Sequence, residues 1–213
     1  MSLQAGRRRR VTGAIARHAA MHPAPGCLRA RLVAMITGLV ACAGAPRAAD
    51  PAAPVGAETR AEIQRAEAAE LDRRHDLARA HYERAIAVAR DADSAAHARH
   101  EYAETLVSWG EPRAALAQLE RAVAARPGDP GTWHDLGLVR HATGDDAGAI
   151  AALARAEQLA PDDVRPRTAL AALYWRRGDR ASAAREYRAM LALDLPERLR
   201  ARVEWALAEL AKP

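Results

Sequence analysis

Residues Pro130 to Pro161 read PGTWHDLGLVRHATGDDAGAIAALARAEQLAP, and this stretch decides the fold. Its apolar residues fall at helical spacing in two runs. Trp133 and Leu136 are knobs on the first run, and Gly137 is a small residue where a second helix can come close. Thr143-Gly144-Asp145 breaks that run and offers an N-cap for the next, because glycine ends helices and aspartate starts them. Ala149, Leu153 and Ala156 recur on one face of the second run, and Pro161 stops it. The stretch is predicted to be an antiparallel pair of helices.

The same frame returns thirty-four residues away on both sides. Gly110, Gly144 and Gly178 share a phase, as do Ala115, Ala149 and Ala183. Leu119, Leu153 and Tyr187 follow suit, then Ala122, Ala156 and Met190, and Pro127 with Pro161. A fixed period of this length marks a helical repeat array. On these residues the sequence resembles the tetratricopeptide-repeat (TPR) family, whose pattern runs W-x2-L-G-x2-Y, then A-x3-F, then P. The middle copy matches at Trp133, Leu136, Gly137, Ala149 and Pro161, with Leu153 in place of the aromatic. It departs at Arg140, where the pattern has Tyr. The next copy supplies Tyr174 there but carries Arg167 where Trp belongs. The resemblance implies an all-α solenoid of about four helix-turn-helix repeats with a C-terminal capping helix.

In this register the repeat domain spans 58–213, with repeats at about 59–95, 96–129, 130–163 and 164–197 and the cap at 198–213. The first repeat is degenerate. Its second helix is legible in ARAHYERAI (78–86), which parallels ALAQLERAV (115–123) at a spacing of 37, so about three residues are inserted near Asp91 to Ser94. Its first helix, roughly Thr59 to Arg74, has weak anchors in Ile63, Ala66, Ala69 and Leu71. An atypical end repeat is expected of a solenoid, because its outer face has no neighbour. Repeat two uses Tyr102, Leu106 and Trp109, and repeat four uses Leu170, Leu173, Tyr174 and Tyr187. The cap carries Leu199, Val203, Leu207 and Leu210 on one face.

Ahead of the repeats the composition changes. Residues 1–41 hold seven arginines and no acid, which leaves 25 basic groups against 27 acidic in the remainder. The formal net charge of +5 therefore belongs to the leader, and the repeat domain offers nucleic acid no basic surface. Arg29 and Arg31 precede the apolar run Leu32 to Ala41, which is too short to span a bilayer and suits a signal-peptide core. The run closes on Leu39-Val40-Ala41-Cys42, which resembles the lipobox of bacterial lipoproteins. That resemblance implies lipidation of Cys42, a signal peptide of 1–41 and a membrane anchor; cleavage after Ala45 is the alternative. Arg7 to Arg10 lie far from the core, so a true start at Met21 gives a more ordinary leader. VTGAIARHAA after Arg10 is no apolar core, which disfavours twin-arginine export. Cys27 would leave with the signal, and residues 42–57, rich in Ala and Pro, are expected to be a flexible tether.

The repeat domain shows no G-x-S-x-G serine, no free thiol, no Walker loop and no dinucleotide fingerprint, so no enzyme activity and no cofactor are expected. Asp145-Asp146 and Asp162-Asp163 fall at predicted helix starts, where they read as caps. In the TPR fold the first helix of each repeat lines a concave groove. Carried onto this register, the groove positions are His97, His100, Glu104 and Val107, then His134, Leu138 and His141, then Arg165, Thr168 and Trp175. Four of the six histidines after the leader thus share one face. They suit a polar ligand groove; His97 and His100, one turn apart, are the weak candidates for a metal. The acidic-peptide clamp of co-chaperone TPR domains is not carried over, because Glu104 and Asp135 would repel a terminal carboxylate.

The expectation for function is a non-enzymatic scaffold that takes a protein or peptide in its groove. The resemblance implies a lipid anchor in the bacterial cell envelope, facing the periplasm from the outer membrane, with a part in assembling a secretion, pilus or outer-membrane complex. Two alternatives stand beside it: a periplasmic metal- or haem-handling accessory protein using the histidine face, and a cytoplasmic scaffold whose true start lies further along.

Overall fold

The computed structural model describes residues 56–212. The leader, the alternative start at Met21 and the lipidation site Cys42 lie outside the described residues, as does nearly all of the expected tether. The tether's last position, Ala57, is already the first residue of a helix.

The described residues form helices joined by short turns: α1 (Ala57–Leu71), α2 (His75–Val88), α3 (Ala92–Ser108), α4 (Pro112–Ala125), α5 (Pro130–Ala142), α6 (Asp146–Leu159), α7 (Val164–Arg176), α8 (Arg180–Leu191) and α9 (Glu197–Ala211). Consecutive helices pair, and each pair packs on the next, α2 on α3, α4 on α5, α6 on α7 and α8 on α9. The odd-numbered helices also touch along the array, α1 on α3 and α5 on α7, which places them on its inner face.

The turn chemistry repeats with the period. Gly110, Gly144 and Gly178 sit at φ 78, 92 and 77°, a left-handed conformation that glycine enters without strain. Arg73 holds the same place in the first repeat at φ 57°. One backbone bond closes every such turn: Arg74 N–H to Ala69 O, Glu111 to Leu106, Asp145 to Arg140 and Asp179 to Tyr174, at 2.8–2.9 Å. Asp91, Asp129, Asp145, Asp163 and Asp179 then cap the helices that follow, each carboxylate accepting a first-turn N–H. The inserted residues of the first repeat become helix: α3 has 17 residues where α5 and α7 have 13, and the loop before it is shorter.

Packing follows the small residues. Ala78, Ala115, Ala149 and Ala183 are fully buried, one per second helix. A Cβ on Gly137 would stand 2.6 Å from Leu153 Cγ and 3.2 Å from the Ala149 carbonyl, so α5 and α6 meet at a distance only glycine allows. Leu106, Leu119, Leu136, Leu153, Leu170 and Met190 carry the core from pair to pair. At the far end α9 packs on α8 through Val203, Ala206 and Leu210. Arg180 of α8 donates to the Leu210 carbonyl at 2.7 Å, a cation on the negative end of the last helix.

Candidate binding groove

Three depressions follow one another along the odd helices. The first, of about 250 Å³ between α3 and α5, is lined by Ala103, Glu104, Val107, Leu119, Asp135 and Leu138. The second, about 120 Å³ between α5 and α7, takes Leu138, His141, Ala172 and Arg176. The third, about 160 Å³, lies where α9 takes the place of a further first helix, and is lined by Thr168, Trp175, Tyr187, Arg202 and Trp205. Leu138 forms a wall of the first two. Val107 and Leu138 are 47% and 43% exposed, so two large apolar side chains stand open to water beside Glu104, Asp135 and His141.

Polar groups around the first depression are tied together. His100 Nε2 donates to Asp135 Oδ2 at 2.7 Å, and His134 Nδ1 donates to Asp135 Oδ1 at 3.0 Å. Burial works to raise the Asp135 carboxyl, but the bonds from the two histidines outweigh it and hold the group down to about 2. Burial likewise disfavours protonated His100, and the carboxylate of Asp135 outweighs that and raises it above its ordinary value. Glu104 Oε1 is 3.8 Å from the same imidazole nitrogen. This end of the groove is an anion-rich pocket with its charge partly met by histidine.

The other expected groove residues divide. His97 and His100 face different carboxylates. The Nδ1 of His97 stands 3.7 Å from Glu101 Oε1, one turn along α3, while His100 turns toward Glu104 and Asp135. His141 Nδ1 donates to Asp146 Oδ1 at 2.5 Å, and its other nitrogen accepts from Arg176. Arg165 is turned to the start of α7, where its guanidinium clasps Asp163 at 2.7 and 2.9 Å, and it is not among the residues lining these three depressions. Thr168 does line the third one. Trp175 is half-buried: its ring lies 6.5 Å from Trp205 in a stacked arrangement and meets Tyr187 edge-on at 6.3 Å.

Arg176, Arg202 and Trp205 were absent from the groove positions read from sequence, and Asp135 was read there only as a charge that would repel a terminal carboxylate. Trp205, 63% exposed, had no repeat signal to find it, because the cap falls outside the thirty-four-residue frame. Asp135 had one, since it follows His134 directly and sits thirty-five residues after His100, one repeat plus one.

No family model and no curated protein sequence matches this chain. Solved structures do match. The chain is similar to MamA at 18% identity and a TM-score of 0.62, over 73% of this chain and 81% of MamA. It is similar to PilF of Pseudomonas aeruginosa at 18% identity and a TM-score of 0.57, over 72% and 73%. The first TPR of RPAP3, solved bound to the HSP90 peptide SRMEEVD, aligns at 15% identity and a TM-score of 0.50, over 56% and 98%. Paired helices, the inner row of odd helices and the groove along it define a helical repeat solenoid. With these likenesses the fold is specific: the chain is an all-α TPR solenoid.

Proposed function

We propose that the protein is a non-enzymatic interaction scaffold that holds an extended segment of a partner protein along the three depressions. The observation that carries this reading is Leu138 with Val107, open apolar side chains beside polar groups, the usual mix of an interface core. A TPR solved with a peptide is among its structural neighbours, which supports a peptide as the occupant. The acidic tail of that peptide does not suit this groove, where the ionised Asp135 and Glu104 border the first depression.

The site of action follows from the leader. Leu39-Val40-Ala41-Cys42 after a short apolar core supports export and lipidation at Cys42, and Ala43 in place of aspartate favours the outer membrane. There the scaffold would help assemble a secretion, pilus or outer-membrane complex. A phage-displayed library of random peptides panned on the full chain tests the groove. Peptides enriched on wild type should be lost with Leu138→Glu and kept with Arg155→Glu, whose side chain is exposed on α6. Equal enrichment on all three proteins would overturn the reading. Labelling with a fatty-acid analogue tests the anchor: it should mark wild type and spare Cys42→Ser.

A further inference from the structure

His100 and Glu104 lie one turn apart on α3, a spacing that puts both on one face, and Asp135 meets them from α5. His100 Nε2 is 2.7 Å from Asp135 Oδ2 and 3.8 Å from Glu104 Oε1, and one donor atom from each residue lies within 4.8 Å of the other two. We infer that these three side chains form a site for one divalent transition-metal ion of the zinc type, shared between the second and third repeats.

Distance supports the set. Donors about 2.0–2.1 Å from a tetrahedral ion stand roughly 3.4 Å from each other. The 2.7 and 3.8 Å separations fall on either side of that value, so one opens and one closes by less than an ångström. The adjustable partner is Glu104, a long side chain 58% exposed, while the other two come from mid-helix positions on packed helices. The ion takes the place of the Nε2 proton of His100: a protonated ring releases that proton to solvent and keeps the one on Nδ1, and a neutral ring carries its single proton on Nδ1 instead.

Donor chemistry narrows the ion. An imidazole nitrogen is a poor ligand for calcium or magnesium, which take oxygen shells, and suits zinc, cobalt or nickel. Two carboxylates balance a 2+ charge. Asp135 is already ionised and already oriented, because His134 donates to its Oδ1 and leaves Oδ2 facing His100. Such an outer partner is what holds a ligating carboxylate in place. The His134 side chain is 12% exposed, so that support is itself packed. Glu104 and Asp135 both line the first depression, and the fourth coordination position therefore faces the groove. Water fills it, or a histidine or carboxylate of a bound partner does. The inference stands whether or not the groove binds peptide, since the ion needs only residues of this chain.

Cobalt(II) is the probe, because its visible absorption reports coordination directly. Titrated into the full chain, it should produce a saturable band at one equivalent that zinc displaces. His100→Gln and Glu104→Gln should each weaken binding at least about tenfold, and His134→Phe should weaken it about tenfold through the outer contact. His97→Gln should change nothing. Circular dichroism of each variant separates lost binding from lost fold, and Glu104, being exposed, can be changed without disturbing the core. A band untouched by both His100→Gln and Glu104→Gln overturns the site, as does the absence of any saturable band at millimolar cobalt. A band lost only in His97→Gln also overturns it.

Discussion

Trp133 on α5 and Arg167 on α7 hold the same place in successive repeats, thirty-four residues apart. Trp133 Nε1 donates to the Pro127 carbonyl at 2.9 Å, and Arg167 Nη2 reaches the Pro161 carbonyl at 3.5 Å. Those prolines are themselves one repeat apart. The tryptophan packs against an apolar cluster that includes Val123 and Ala152. At the equivalent positions around the arginine stand Glu157 and Glu186, 2.6 and 3.7 Å from Arg167 Nη1. Three positions have changed together, from an apolar contact to a cation between two carboxylates, and the backbone bond has been kept. The first two repeats hold further versions: His81 donates to Glu62 at 2.8 Å, and Arg99 to Gln118 at 3.4 Å. What the repeat specifies at this place is a filled volume, joined in repeats three and four by a bond to the preceding turn. The residue type is free provided its partners change with it.

The largest effect should come from breaking the charged version. Arg167→Ala removes the cation between Glu157 and Glu186, leaving the buried Glu186 carboxylate with Arg185 alone, at 3.3 Å. Removing one partner of a buried ion pair costs about 3–5 kcal/mol, and urea unfolding should show a loss near the lower figure because Glu157 keeps some contact with water. Trp133→Ala strips an apolar contact and strands no charge, so it should cost less. The triple change Arg167→Trp, Glu157→Val, Glu186→Ala transplants the apolar version and should be neutral or stabilising by about 1–2 kcal/mol. A triple variant less stable than Arg167→Ala would show that the two versions are not interchangeable.

The period, the turn glycines and the alanine column were legible because each answers to a backbone demand: a positive φ at Gly110, Gly144 and Gly178, or a close helix approach at Ala115, Ala149 and Ala183. Arg167 was legible only as a departure from the pattern. Its meaning depends on Glu157 and Glu186, which lie on the two flanking helices, and no local spacing joins the three. The groove divided for the same reason. Val107 and Leu138 follow from the register, whereas the turn of His100 toward Asp135, of Arg165 toward Asp163 and of Trp175 toward Trp205 is set by neighbours on other elements or at a helix end. Helix position was readable and side-chain partnership was not.

A smaller effect distinguishes the two repeats at their helix contact. Gly137 in repeat three corresponds to Ala103 in repeat two and Ala171 in repeat four, both fully packed. Alanine at 137 would place its Cβ 2.6 Å from Leu153 Cγ. Overpacking costs about 1–3 kcal/mol, and the gain in helix propensity returns about 1, so Gly137→Ala should lower stability by about 1 kcal/mol. Pairing it with Leu153→Ala should relieve the clash, and a double-mutant cycle in urea would show the coupling. Additive losses would mean that α5 and α6 can simply move apart.

The smallest effect is the one that tells whether the charged version stabilises the fold or is merely tolerated. Burial pushes the Glu186 carboxyl up, the neighbouring Glu157 adds to this, and the charges of Arg185 and Arg167 only partly offset it, so the group titrates above 4.5 in the folded chain. A raised carboxyl holds its proton more tightly folded than unfolded. Stability is then unaffected by this group below pH 4.5 and falls as pH rises from 4.5 through the folded value. Glu186→Gln removes the titration. The urea midpoint of wild type should therefore decline relative to Glu186→Gln between pH 4.5 and 6.5, and a Trp133→Phe variant should track wild type, since the apolar version has no group to titrate. If wild type instead gains on Glu186→Gln over that window, Arg185 and Arg167 together overcome the cost of burial and the charged cluster is a stabilising core element in its own right. A decline means that the arginines rescue two carboxylates which the fold would hold more firmly as valine and alanine.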